Sequence, residues 1–192
     1  MRVAMAGSGA PGRCLAALAG AVAATLALAA APAGAAARCA HADTVPSARG
    51  VGSARAAVLC LVNRERAARG LRGLRADARL DRAAAAHSLD MVRHRYFDHT
   101  SPTGSTPLGR VRASGYLAHA RAWVAGENIA WGVGRLAAPA AIVSAWMHSP
   151  GHRANILRPQ FREVGTGVVA GVPAAGVRLT GATYTQDFGA RG

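Results

Sequence analysis

Apolar residues recur with a helical period through the middle of the chain and crowd into short runs near its end. Between Ser53 and Arg69, Val58, Leu61, Val62 and Arg66 fall on one side and Asn63, Glu65 and Arg69 on the other. This spacing predicts a helix capped by Ser53 and stopped by Gly70. Asp77 opens a second helix, to about His94, with Leu80, Ala83, Ala84, His87 and Met91 along one side. His87 reads there as a core histidine. Phe97 to Gly104 is rich in turn formers and has no helical pattern. Pro107 starts a short helix to Ser114, stopped by Gly115. Gly126-Glu127-Asn128, between Trp123 and Trp131, reads as a turn or a strand entry. Pro139 to Met147 is a third long helix, ended by Ser149-Pro150-Gly151. Val164–Val172 and Leu179–Phe188 read as two strands, with Gly171 to Gly176 in the loop between them. Helices come first and strands last. That order predicts an α+β domain with an antiparallel sheet and not alternating βαβ units.

The first 37 residues follow a different pattern. Arg2 and Arg13 precede an uncharged stretch from Cys14 to Ala37 that ends in small residues before Arg38. A positive start, an apolar run and a small-residue site describe a secretory signal peptide. The competing reading is an uncleaved anchor, since the run is long enough to span a bilayer. The expected organisation is a signal peptide over 1–37, an N-terminal arm over 38–54 and one domain over 55–192. Cys14 would leave with the signal, so Cys39 and Cys60 remain as a disulfide pair of an exported chain. The other reading of Cys60 is a buried free thiol.

Composition changes this picture only a little. The chain has 192 residues and a formal charge of +14, and all 23 basic residues are Arg. Two of those Arg lie in 1–37 and all 9 acids lie beyond it, so residues 38–192 carry +12. Ala and Arg are abundant throughout, which is how a biased genome would look. Aromatics are 5%, sparse for a base-stacking surface, so no specific nucleic acid is expected. A monomer is expected.

The common catalytic signatures are absent from the sequence: no GxSxG elbow, no P-loop, no HExxH helix and no zinc-finger cysteine cluster. His148 and His152 have i, i+4 spacing, but Pro150 and Gly151 between them should keep them off a common face. What remains is His99, Glu127 and His152, each beside Gly or Pro at a segment end, where polar side chains are disproportionately functional. Ser101 and Ser149 are the candidate nucleophiles with a His nearby in sequence.

Four segments in order carry a resemblance: Phe97-Asp98-His99-Thr100-Ser101-Pro102, Gly126-Glu127-Asn128-Ile129-Ala130, Trp146 to Leu157, and Tyr184-Thr185-Gln186-Asp187-Phe188-Gly189. They resemble the CAP superfamily of cysteine-rich secretory proteins, antigen 5 and pathogenesis-related proteins, in its bacterial secreted SCP-like branch. The resemblance covers about residues 55 to 189 and implies an α-β-α sandwich with a small, mostly antiparallel sheet. It also implies a cavity lined by two His and two acids. His99, Glu127 and His152 match three of these, and Ser149 stands where the second Glu is typical. Two imidazoles left with one carboxylate would bind Zn²⁺ or another divalent ion weakly, with Glu127 as third ligand or as base. The alternative is a polar cluster that only holds loops together. Asn128 and Asn155 are expected to bond loop backbone, Trp146 and Phe188 to be core, and Gln186 and Asp187 to end a strand facing the cavity or Arg153.

Three functions follow from these readings. The first is a secreted, non-catalytic module holding a small apolar or lipid-like ligand. The second is a metal-assisted hydrolase, such as a peptidase, built on His99, Glu127 and His152. The third is a cationic protein meeting an anionic cell-envelope polymer or lipid surface through its Arg residues. All three place the protein outside the cell or at its envelope.

Overall fold

The computed structural model describes residues 38–192 apart from Arg178, so the expected signal peptide lies outside the described residues. Five helices and four strands follow in order: α1 Val51–Ala67, β1 Arg75–Ala76, α2 Ala78–His94, α3 Pro107–Ala113, β2 Trp123–Val133, α4 Pro139–His148, α5 Pro150–Ile156, β3 Glu163–Ala170 and β4 Gly181–Arg191. A short 3₁₀ helix, Gly134–Ala137, joins β2 to α4. The sheet order is β1-β3-β4-β2. β4 pairs antiparallel with both β2 and β3, and only the two-residue β1 is parallel to its neighbour. This is the expected α+β sandwich. One helical layer is α2 with α3, and the other is α1, α4 and α5.

Several boundaries follow directly from local chemistry. The Asp77 carboxylate accepts from the N–H groups of Arg79 and Leu80, a complete N-cap for α2. Thr106 caps α3, with Pro107 in the first turn. α1 begins earlier than expected. Gly50 is its N-cap and Val51 its first residue, so Ser53 lies inside the first turn and the irregular arm ends at Gly50. Three other expectations are corrected. Trp123 to Val133 is a full strand of 11 residues, neither a turn nor only a strand entry. Pro150, expected only to end a helix, also starts the next one, α5, because proline suits the first helical turn. Gln186 and Asp187 lie mid-strand in β4, fully buried, and do not reach Arg153.

Two cores flank the sheet. The larger packs Val58 and Val62 of α1, Ile142 and Trp146 of α4 and Ile156 of α5 against Val164, Val168, Tyr184 and Phe188. Phe161 and Phe188 stack at 5.2 Å. On the other face, α2 lies so close to β3 that a Cβ on Gly165 or Gly167 would collide with the helix backbone at Leu80 or Ala84. Arg66, on the apolar side of α1, is fully buried. Its guanidinium donates to the carbonyls of Arg72, Ile156 and Arg158 at 2.8, 2.7 and 3.0 Å. It thereby closes the C-terminal end of α5, where free carbonyls favour a cation.

Cys39 and Cys60 form a disulfide across 21 residues, tying the arm to α1. Closing a loop of that length stabilises by about 3 kcal/mol on the chain-entropy model. Replacing both cysteines with Ser should lower the unfolding free energy in urea by roughly that amount, and an unchanged midpoint would contradict it.

Candidate functional site

The period of a β-strand divides the Gly126-Glu127-Asn128 motif between two faces. Gly126 has no side chain because a Cβ there would lie 2.9 Å from the Phe161 ring and 3.1 Å from Asn155 Oδ1. Glu127 turns to the α2 side and Asn128 to the α5 side. Asn128 Nδ2 donates to the His152 carbonyl at 3.2 Å and its Oδ1 accepts from Asn155 Nδ2 at 3.0 Å. Asn155 Nδ2 also donates to the Glu127 carbonyl at 3.0 Å, and Trp146 Nε1 donates to the Ile129 carbonyl at 3.1 Å. β2 is an edge strand, so side chains of α4 and α5 give partners to its backbone. Both Asn residues thus bond to backbone, though of helix α5 and strand β2 and not of loops, and Trp146 and Phe188 are core, as expected.

Glu127 is the centre of the site. Its side chain is 2% exposed. Oε1 accepts from His99 Nδ1 at 2.7 Å and Oε2 from Arg110 Nη2 at 2.7 Å. Arg110 also donates to the carbonyls of His99 at 2.8 Å and Ser105 at 2.7 Å, so α3 clamps the Phe97–Thr106 loop onto β2. Below the pair lies His87, fully buried, with Nε2 3.9 Å from Glu127 Oε1. That nitrogen is 3.0 Å from the Asp98 carbonyl, which can only accept, so Nε2 carries the proton. Burial lowers the pKa of His87 despite the pull of Glu127. His87 is therefore a satisfied core histidine and also the floor of the site.

Across the paired strands, Asp187 stands directly opposite Glu127. It is fully buried and neither of its oxygens meets a hydrogen-bond donor among the described residues. Burial first, and the adjacent charge of Glu127 second, push its pKa well above the ordinary carboxyl range. The shift favours the protonated form of Asp187. Arg110 and the floor role of His87 were missed in the sequence, whereas Asp187, expected to face the cavity or Arg153, stands beside Glu127. Arg110 is one of 23 Arg in an Arg-rich chain and sits in an unremarkable amphipathic turn. Asp187 had a signal in the Tyr184 to Gly189 motif.

The second half of the site lies on α5. His152 Nδ1 is 2.9 Å from Ser149 Oγ, so Ser149 does have a histidine within hydrogen-bond reach. Ser101 does not. Its hydroxyl is 2.9 Å from Thr103 Oγ1 and accepts from the Ser105 N–H at 3.0 Å, holding its own turn. His148 points elsewhere and binds the Ser144 carbonyl at 2.7 Å, separate from His152 as the intervening Pro150 requires. Burial, and then the charge of His99, lower the pKa of His152.

His99 and His152 each have Nδ1 engaged, which leaves Nε2 of each for a metal ion. Each oxygen of Glu127 already accepts one bond, so a metal ion there would compete with Arg110 and His99 for it. Among the described residues no group of three His, Cys, Asp or Glu is arranged to hold a metal. The residues fit an open two-nitrogen site completed by water and do not fit a closed three- or four-ligand one.

The bond to Glu127 raises the pKa of His99, whose side chain is 48% exposed. The protonated imidazole is thus favoured in the folded protein. Its share of stability is full below the unfolded pKa of about 6.5 and is lost as pH rises through the higher folded value. Wild type should lose stability relative to His99→Gln as pH rises from 6 to 8, read from urea midpoints; parallel midpoints would contradict this.

Comparison with known proteins agrees with the motif order. The model of the CAP cysteine-rich secretory protein family matches residues 59–176. YkwD of Bacillus subtilis is 40% identical over 131 residues, which cover 68% of this chain and 45% of that protein. The membrane protein YlbC of Bacillus subtilis is 34% identical over 111 residues, covering 58% of this chain and 30% of that one. The chain therefore spans less than half the length of these curated relatives. An extracellular SCP-domain protein of Bacillus anthracis has a TM-score of 0.59 at 31% identity, over 72% of this chain and 40% of that one. An outer surface protein of Borrelia burgdorferi shares the fold at 19% identity and a TM-score of 0.56, over 70% of this chain and 90% of its own. With its sheet order, disulfide and four motifs in place, the chain belongs to the CAP cysteine-rich secretory protein family, in company with bacterial SCP-domain proteins.

Proposed function

We propose that this CAP domain is an extracellular, non-catalytic binding module that holds a small apolar or lipid-like ligand. The observation that carries the reading is the enclosure of Glu127. A general base must be reached by its substrate, and this carboxylate is 2% exposed, with each oxygen already accepting a bond at 2.7 Å, from Arg110 and from His99. The cluster is a lock between α3, the Phe97–Thr106 loop and β2. Extracellular placement is supported by the Cys39–Cys60 disulfide and by neighbours that are themselves extracellular or outer-surface proteins.

The ligand seat we favour lies away from the lock, in a groove of about 290 Å³ between α1 and β3. Ala56 and Leu59 form one wall, Val164 and Thr166 the floor, and Ala76 the end. The lining is mainly apolar, and an Arg55–Asp81 ion pair sits at the rim. That combination suits an aliphatic chain with a polar head.

A second reading, metal-assisted hydrolysis, is favoured by the two unengaged imidazole nitrogens of His99 and His152. One titration series separates the two. A fluorescent polyene fatty acid should saturate on the full-length protein, bind about tenfold more weakly to Ala56→Trp, which fills the groove, and bind His152→Ala as it binds wild type. Equal affinity for Ala56→Trp, or loss in His152→Ala, would overturn the groove assignment. A one-to-one zinc isotherm that disappears in His152→Ala would favour the hydrolase reading instead.

A further inference from the structure

One end of the sheet exposes apolar side chains that neither the lock nor the groove uses. Leu136 is 68% exposed, Leu179 66%, Trp131 38% and Val177 37%. The backbone brings them to the same end. Val133 of β2 pairs with Gly181 of β4, and the Gly134 N–H donates to the Thr180 carbonyl at 2.7 Å, beside Leu179. The Leu136 carbonyl lies so close to Gly132 that a Cβ there would collide with it. Trp131 precedes Gly132 in the strand, so its side chain leaves the opposite face of the sheet at the same end.

The two connections that carry these side chains hold no acid, and Asp43 lies beyond them, next to Ala42, whose carbonyl accepts from the Ala140 N–H at 2.8 Å. No Asp or Glu occurs between Asn128 and Arg162, nor between Val164 and Gln186. Arg135 shares the 3₁₀ helix with Leu136 and makes no ion pair with the described residues. Residues 38–192 as a whole carry +12. Leucines at the tips of two neighbouring connections, a half-exposed Trp and an Arg outside any ion pair combine two forces. Apolar tips gain by leaving water for acyl chains, and cations gain beside anionic headgroups. The Trp ring is amphipathic and suits the boundary between the two. No helix of the described residues is long and apolar enough to cross a membrane, so such an attachment is peripheral.

We infer that the sheet end bearing Trp131, Leu136 and Leu179 is a docking surface for an anionic lipid bilayer. The inference does not depend on a ligand in the α1/β3 groove. It is tested with the full-length protein and vesicles of three parts brominated phosphatidylcholine to one part phosphatidylglycerol. Residues 1–37 contain no Trp, so emission and its quenching report only on the domain. Trp146 is buried, which leaves Trp123 and Trp131 as the residues that lipid can reach.

The expected result is quenching that is largely lost in Trp131→Phe and reduced by high salt. The lipid concentration for half-quenching should rise by roughly tenfold or more in the doubly substituted Leu136→Ser, Leu179→Ser protein. Both leucines are exposed, so circular dichroism should be unchanged. Absence of quenching in wild type, or quenching unaltered in Trp131→Phe, would overturn the proposal. Equal lipid affinity of the double variant would overturn it as well, and would mean that charge alone attracts the protein. Equal quenching by vesicles without phosphatidylglycerol would remove the anionic requirement and overturn the proposal in its stated form.

Discussion

The site depends on one buried carboxylate and its two donors, an arginine and a histidine. Glu127 lies in an edge strand with almost no access to water, and a charge so placed is tolerated only if it is paired and hydrogen-bonded. Arg110 and His99 meet that condition from two different segments. The consequence reaches beyond the ion pair. Arg110 also binds two loop carbonyls, so the requirement of one carboxylate places α3 and the Phe97–Thr106 loop together. Burial first, and the neighbouring charge of Glu127 second, hold the pKa of Asp187 beside it well above the ordinary carboxyl range.

The same strand organises the other half of the molecule through its opposite face and its edge. Asn128 and Asn155 connect β2 to α5, Trp146 connects it to α4, and Arg66 closes the end of α5 from within α1. α5 has only seven residues and would not persist alone. Its place is set by these side-chain bonds to backbone, and that place brings His152 to the same side as His99. The four sequence motifs are therefore four parts of one bonded network. That explains why they occur together whether or not the site performs chemistry.

The helices were largely legible in the sequence. Asp77 and Pro107 mark helix starts by chemistry that acts within one turn, and the period of α2 is unbroken. The arrangement of β2 was not legible, because Gly126, Glu127 and Asn128 replace the apolar alternation of a strand with a polar triplet whose partners lie in distant segments. Pro150 misled for a related reason: proline both stops one helix and starts another, and local sequence does not choose between the two. Cys39 and Cys60 were readable as a pair from their number and the expected export. The site residues His99, Glu127 and His152 were found through their motifs, but the sequence left Glu127 open between a metal ligand, a base and a member of a polar cluster that holds loops together. Only the position of Arg110 reveals it as a held one.

If Glu127 is a structural lock, its partner is what keeps the loop and α3 in place. Amide hydrogen exchange on Arg110→Met tests that most directly. The substitution leaves a buried carboxylate without its main cation, which typically destabilises by about 3–5 kcal/mol. Protection should fall first in Phe97–Thr106 and α3, with β3 and α1 affected only as far as global stability declines. Wild-type protection throughout that loop and helix would contradict the lock and return Glu127 to the role of an available base.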